Sequence, residues 1–577
     1  MGSMRSFMRL AALVTVAGCA SAPPPAARSD TMAVRAPRDK AASGSPAVGD
    51  LSKVGHIELP ISCAAEVAPE FQRGVALLHS FFYEEARRVF STVATIDPSC
   101  AMAQWGIAMT YWHPIWAAPE ADDLQRGLAA SNKASALATS LPLERELVAT
   151  IAIFYRSQAA GEPNAPAQTC HGVVAGDVRG RALAYEEAIA EVHARHPRDV
   201  EATAFYALAL LATAPPSDTS YANQRKATAL LEPFFVSQPN HPGVTHYLIH
   251  GYDYPELAGR GLPAARAYAG MAPWVPHALH MPSHIFTRLG LWDESMASNL
   301  ASADASDRYR LLRGRAAVET EELHALDYLA YAYLQSAEDI KALAIVERVR
   351  PVTETYPARE IAGSYALGAI PARYVLERRR WAEAAALPDP SPVVAQFGFA
   401  AANVEFARAL GAARSGDPER ARRALERLRT LRDNLKEPRF AFFARQVETQ
   451  TMVAAAWLEQ SGGDPASALQ QMRKAAELED LLGKHPVTPG AVLPARELLG
   501  EMLLEQGHPA EARVEFEASL RDFPGRFTLL YGAGRSAALA GDAPRARAHF
   551  TALLALAAHG DGTRPETAEA RRFLEKR

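Results

Sequence analysis

The 577-residue sequence has only four cysteines, at positions 19, 63, 100 and 170, and none forms a CxxC or CxxCH pair. Neither a zinc knuckle nor covalently attached haem is therefore expected. Past the N-terminus no apolar run approaches the roughly 18 residues that a membrane-spanning helix needs. No long block of lysine or arginine occurs and the formal net charge is −4, which argues against nucleic acid as a partner. Runs of β-branched residues are scarce, which argues against extensive sheet. HExxH, GxSxG, a phosphate loop and a dinucleotide GxGxxG are also missing, so no nucleotide cofactor is expected. The nearest approach to one, "GAGRS" at 532–536, falls inside a repeat helix.

Alanine, leucine, arginine and glutamate dominate what is present, and 49% of residues are hydrophobic. These are helix-favouring residues, and the expected class is all-α. The length is too great for one ordinary core, so the chain is either several domains or a repeat array that extends its core lengthwise.

The N-terminus stands apart. In "MRSFMRLAALVTVAGCAS", Arg5 and Arg9 precede an apolar stretch from Leu10 to Ala17 that is too short to span a membrane, followed by small residues. That is the layout of an export signal. Its end, Val16-Ala17-Gly18-Cys19, resembles the bacterial lipobox. The resemblance implies cleavage before Cys19, acylation of that cysteine and a mature protein tethered by lipid. With Ala20 rather than aspartate next, it implies the outer membrane of a Gram-negative cell, facing the periplasm or the surface. Residues 19–50 then form a Pro-, Ala- and Ser-rich flexible spacer.

Near the C-terminus "LLGEMLLEQGHPAEARVEFEASLRDFP" is followed by "YGAGRSAALAGDAPRARAHFTALLALA". Gly507 and Gly541, Ala512 and Ala546, and Phe516 and Phe550 are each 34 residues apart. Gly500 and Ala512 leave room for two helices to cross closely, Phe516 fills the gap and Pro524 stops the second helix. This period and pattern resemble the tetratricopeptide repeat (TPR) family. Further copies follow the same frame, among them "FYEEARRVFSTVATIDP" and "IFTRLGLWDESMASNLASA". The resemblance implies a right-handed α-solenoid of about 11 to 13 helical hairpins. It divides the chain into a signal (1–18), a linker (19–50), N-terminal hairpins with insertions (51–200), central hairpins (201–350) and C-terminal hairpins (351–577). Cys63 falls just before one hairpin and Cys100 at the start of the next, which predicts a disulfide between them in an oxidising compartment.

In the TPR family the first helix of each hairpin lines a concave groove, with repeat positions 2, 5, 9, 12 and 13 pointing into it. His280 and His284, in "PHALHMPSHIF", take positions 5 and 9, and His246 and His250, in "THYLIHGY", take the same positions one repeat earlier. The next hairpin places His324 at position 2, Asp327 at 5 and Tyr331 at 9. Residues four apart on a helix share a face, about 5–6 Å apart at Cβ, and neighbouring helices pack within about 10 Å. The frame therefore predicts one transition-metal site of His246, His250, His280 and His284, with Asp327 or His324 as a further ligand or orienting partner. Imidazole suits zinc, copper or iron. His241 and His277 are assigned to turns, and "HGYDYPELAGRGLPAAR" carries about five extra residues between the histidine pair and the second helix.

His79 and His113, 34 apart at position 13, together with Tyr331, Arg373, Glu497 and Glu501, are read as groove contacts to a partner. The alternative function is thus an envelope scaffold whose groove binds a peptide or protein without metal. A metal-dependent hydrolase or oxygenase is a further alternative. The middle of the chain also resembles exported bacterial TPR proteins with the segments "HPGV", "PHALHMPSHIF" and "KHPVTPG", a resemblance that implies no activity.

Overall fold

A computed structural model describes residues 52–115, 118–156, 167–169, 172–174, 176–215 and 218–576; the signal, the whole linker with Cys19, and Cys170 lie outside them. The described chain is an all-α solenoid of helical hairpins. It opens with Ala68–His79 packed on Tyr83–Ile96 and runs to Phe527–Leu539 packed on Ala543–Leu556, with a last helix at Pro565–Glu575. Strand is confined, among the described residues, to two short pairs: Ala167–Thr169 with Gly172–Val174, and Val318–Glu319 with Thr355–Tyr356. No described helix is long and apolar enough to cross a membrane.

The repeat works through glycine against phenylalanine. The Phe90 ring lies between Gly74 and Gly106 of successive hairpins, and a Cβ on Gly106 would come within 2.6 Å of it. Gly500 and Gly532 flank Phe516 in the same way. Many of the described hairpin turns place one residue in the left-handed region. Gly290, Gly507 and Gly541 supply it in three turns, whereas Phe81, Ala337 and Arg379 occupy the equivalent position in three others, with φ of 54°, 57° and 53°. A side chain there costs roughly 1–2 kcal/mol. Phe81 and Arg379 both turn inward, onto histidines and onto Glu497 and Glu501 respectively.

The superhelix closes tightly on itself. The first hairpin reaches the central ones: His56 N–H donates to the Asn240 carbonyl at 2.9 Å, and Arg315 pairs with Glu84 at 2.5 Å. The C-terminal hairpins fold back as well. Trp292 Nε1–H donates to the Gly525 carbonyl at 2.8 Å, Arg564 pairs with Asp339 at 2.6 Å, and Asp561 accepts from the Ile340 amide at 2.6 Å. Cys63 and Cys100 are joined by a disulfide with a Cα–Cα distance of 4.9 Å.

The interior beside the first helices is occupied in part by the chain itself. The segment 484–493 enters the interior, with His485, Val487, Thr488, Val492 and Leu493 all buried. Arg373 donates to the Ala491 carbonyl at 2.8 Å and lies beside Asp327, Nε to Oδ1 3.4 Å, both fully buried. Arg526 Nη1 donates to the Tyr331 hydroxyl at 3.1 Å, and Glu497 is gripped by Arg526 and Arg379. Glu501 pairs with Arg379 and is only partly exposed. The repeat frame expects these residues to meet a partner. In the structure each of them has a partner within the chain: Arg373 in Asp327 and Ala491, Tyr331 in Arg526, and Glu497 and Glu501 in Arg379.

Candidate metal centre

The first helices of three hairpins carry the histidines: Pro242–Tyr252, the kinked pair Pro276–His280 and Pro282–Arg288, and Thr320–Gln335. Pro282 has no N–H and interrupts the ladder between the two short helices. The serine-rich helix Trp292–Leu312 supports exposed carbonyls there, Ser302 Oγ donating to Pro276 O at 2.8 Å and Ser298 Oγ to Leu279 O. That bracing fixes the direction of His277, His280 and His284.

The six rings fall into two groups of three. One ring nitrogen from each of His246, His250 and His277 lies within 4.8 Å of the others, and the same holds for His280, His284 and His324. The four-histidine site expected from repeat position is thus divided. His277, at position 2 of its repeat, joins the first group, and His324 completes the second. Asp327 stands beside Arg373 and belongs to neither group. All of the rings are buried except His250, which keeps partial exposure.

Hydrogen bonds fix the tautomers. His280 Nδ1 is 2.7 Å from Asn299 Oδ1, and the Asn299 amide nitrogen donates to the Ser295 carbonyl at 2.7 Å, so the asparagine oxygen must face the ring and accept. His284 Nδ1–H donates to Asp253 Oδ2 at 2.9 Å. In neutral rings both Nε2 atoms then carry lone pairs, and they face each other at 3.1 Å. Two lone pairs at that distance repel unless a cation lies between them. Two nitrogens bound to one tetrahedral ion at about 2.0–2.1 Å would be separated by about 3.3 Å.

The first group repeats the device. His246 Nδ1–H donates to the His79 carbonyl at 2.7 Å, turning its Nε2 towards His277 Nε2 at 3.2 Å. His277 Nδ1 faces Glu321 Oε2 at 3.6 Å. Burial pushes His246 down to about 3, and burial also lowers His284 despite the Asp253 carboxylate. Burial therefore favours the neutral form of both rings, the form in which imidazole binds metal.

Asp253 comes from the five-residue insertion after His250, and also pairs with Arg288 at 2.8 Å and Lys484 at 3.5 Å. Lys484 Nζ reaches the Tyr328 hydroxyl at 3.2 Å, and the Tyr328 ring lies 4.9–5.3 Å from His280, His284 and His324. The Phe81 ring lies 4.4 Å from His246 and 5.5 Å from His277.

His79 sits beside this cluster with its side chain engaged elsewhere. Its Nε2 is 2.7 Å from Glu201 and its Nδ1 2.8 Å from the Tyr247 hydroxyl, while His241 Nε2 meets the other Glu201 oxygen at 2.9 Å. Burial alone would raise Glu201, yet the two imidazoles hold it below the ordinary carboxylate range. His113 is half-buried, donates to the Thr110 carbonyl at 2.8 Å and lies against Tyr83. Assigning His277 to a turn misses it, and Asn299, Asp253 and Glu321 are missed as well. His277 is legible through position 2 of the same frame. The others come from second helices, from an insertion and from the start of a neighbouring helix, where the frame assigns no inward direction.

No family model matches the chain, and no curated protein matches it. Solved structures with a related course of helices include yeast Tom70, at 11% identity over 88% of this chain and 95% of that one with a TM-score of 0.32. The Cut9–Hcn1 hetero-tetramer of the APC/C gives 11% identity over 88% and 96%, TM-score 0.23. The P58(IPK) TPR domain gives 13% over 62% and 96%, TM-score 0.20.

Proposed function

We propose that the chain is an exported α-solenoid protein that binds a transition metal of the zinc, copper or iron class in its histidine cluster. The observation that carries this reading is the pair His280 and His284: each commits Nδ1–H to an acceptor and turns the lone pair of its Nε2 on the other at 3.1 Å. Carboxylate and amide acceptors behind the rings are the usual way to orient and strengthen imidazole ligands. Export is supported by the Cys63–Cys100 disulfide, which belongs in an oxidising compartment, and the lipobox-like end at Cys19 points to lipid tethering at the outer membrane. A three-histidine ion can also polarise water, so a hydrolase or oxygenase is the catalytic form of the same proposal.

The helical-hairpin scaffold favours a second reading, binding of a protein partner. With the interior filled, such a partner would dock on an outer face. The test is elemental analysis of untagged protein from the periplasmic side, before and after reconstitution with zinc, copper and iron salts. Near-stoichiometric metal that is lost in His280→Ala/His284→Ala is expected. Protein that stays metal-free after reconstitution would overturn the metal reading and leave the scaffold.

A further inference from the structure

We propose that the cluster is a dinuclear copper centre, two ions side by side, each held by three imidazoles: His246, His250 and His277 for one, His280, His284 and His324 for the other. The inference rests on the metal-binding reading and goes beyond it in number and identity of ions.

The number follows from how the rings are shared. His277, His280 and His284 sit at intervals of three and four residues on one kinked helix, so all three face the same side. His277 turns its Nε2 to His246 at 3.2 Å, and His280 turns its Nε2 to His284 at 3.1 Å. One ion cannot take both pairs: ligand nitrogens on one ion lie about 3.3 Å apart, whereas nitrogens all within 4.8 Å of one another are found only inside each group of three. The groups nevertheless abut: the His277 and His280 rings are 6.4 Å apart between centroids, and three residues advance a helix by only about 4.5 Å.

Copper follows from charge. Neither group of three contains a carboxylate. Paired iron or manganese ions in helical proteins are held by bridging and terminal glutamates, which are absent from these groups. Two carboxylates stand behind the rings, Glu321 and Asp253, and Asp253 is already balanced by Arg288 and Lys484. Four positive charges from two divalent ions would be poorly compensated in this buried volume. Two cuprous ions bring half that charge, zinc has no such lower state, and imidazole is a suitable ligand for copper.

Reconstitution of the untagged full-length protein with cuprous ion under reductant, followed by desalting and elemental analysis, is expected to give two coppers per chain. His277→Gln and His324→Gln should each retain about one. One copper in the wild-type protein would overturn the pair while leaving the metal-binding reading intact. No copper and no other metal would overturn both. Because the variants can fail to fold, the decisive measurement needs none: after oxidation, the wild-type cupric EPR signal should show spin coupling, or integrate to fewer spins than the copper present. Two full, uncoupled spins per chain would overturn the side-by-side arrangement.

Discussion

Asn299 shows how much of the proposed centre depends on a residue outside the two groups of three histidines. Its amide oxygen accepts from His280 Nδ1 and so points Nε2 inward. Asn299→Leu keeps the volume and removes the acceptor, and metal affinity should fall about 10- to 100-fold, read by chelator competition, with the helical circular dichroism unchanged. Glu497 makes a separate residue-scale case. Burial alone would raise its carboxyl, but Arg526 and Arg379 outweigh burial and hold it at about 2 against an ordinary 4.5. A carboxyl depressed in the folded state stabilises it above the unfolded value, and that contribution fades as pH falls from about 4.5 towards about 2. Glu497→Gln should therefore cost roughly 3 kcal/mol in urea unfolding at neutral pH. The gap to wild type should narrow across that acid window, and an unchanged gap would contradict the ion-pair account. The clustering of the histidines is legible at this scale because repeat position reports which face a helical residue occupies. It does not report which neighbour a side chain meets across a closed superhelix. Hence Asp327, on the expected face, is held by Arg373, and Asp253, in an insertion outside the repeat frame, is bonded to His284.

The hairpin element is readable almost in full, since the glycine, alanine and phenylalanine positions state where helices cross. Gly106→Ala would push a methyl into the Phe90 ring, which Gly74 already confines from the other side. It should destabilise the protein by about 1–3 kcal/mol. Gly180 lies inside the Gly176–Arg195 helix with nothing within 4 Å of the place a Cβ would take, so Gly180→Ala should stabilise by about 0.5–1 kcal/mol. Opposite signs for the two in urea unfolding would confirm that close approach, rather than helix propensity, selects glycine at the crossings. The segment 484–493 is not readable as an interior element. It lacks helical periodicity and carries two prolines and a glycine, the composition of a surface loop. Its burial is possible because its polar groups find partners: Thr488 Oγ1 donates to the Gly490 carbonyl at 2.7 Å, and Arg373 and Tyr328 satisfy carbonyls along it.

An open repeat array unravels from its ends, each hairpin being held only by its neighbours. Here both ends are fastened to the middle, through Glu84 and Arg315 on one side and Asp339 and Arg564 on the other. Unfolding in urea should accordingly be a single transition, coincident by circular dichroism and tryptophan fluorescence. Arg564→Ala should split off an early phase belonging to the last hairpins. The disulfide closes a loop with a sequence separation of 37, so its reduction should cost about 4 kcal/mol and lower the urea midpoint. The inward course of 484–493 has a consequence in time. Lys484 seals Asp253 and Tyr328, residues synthesised well before it. While the chain is still emerging, the histidine helices can pack before their cover exists. On the proposed metal-binding reading, the interval between those two events is when an ion would enter most easily, and once the cover is in place exchange would require the segment from Lys484 to lift away. Metal content would then be set at biogenesis, by the ions present where the chain first folds, and would afterwards respond only slowly to its surroundings.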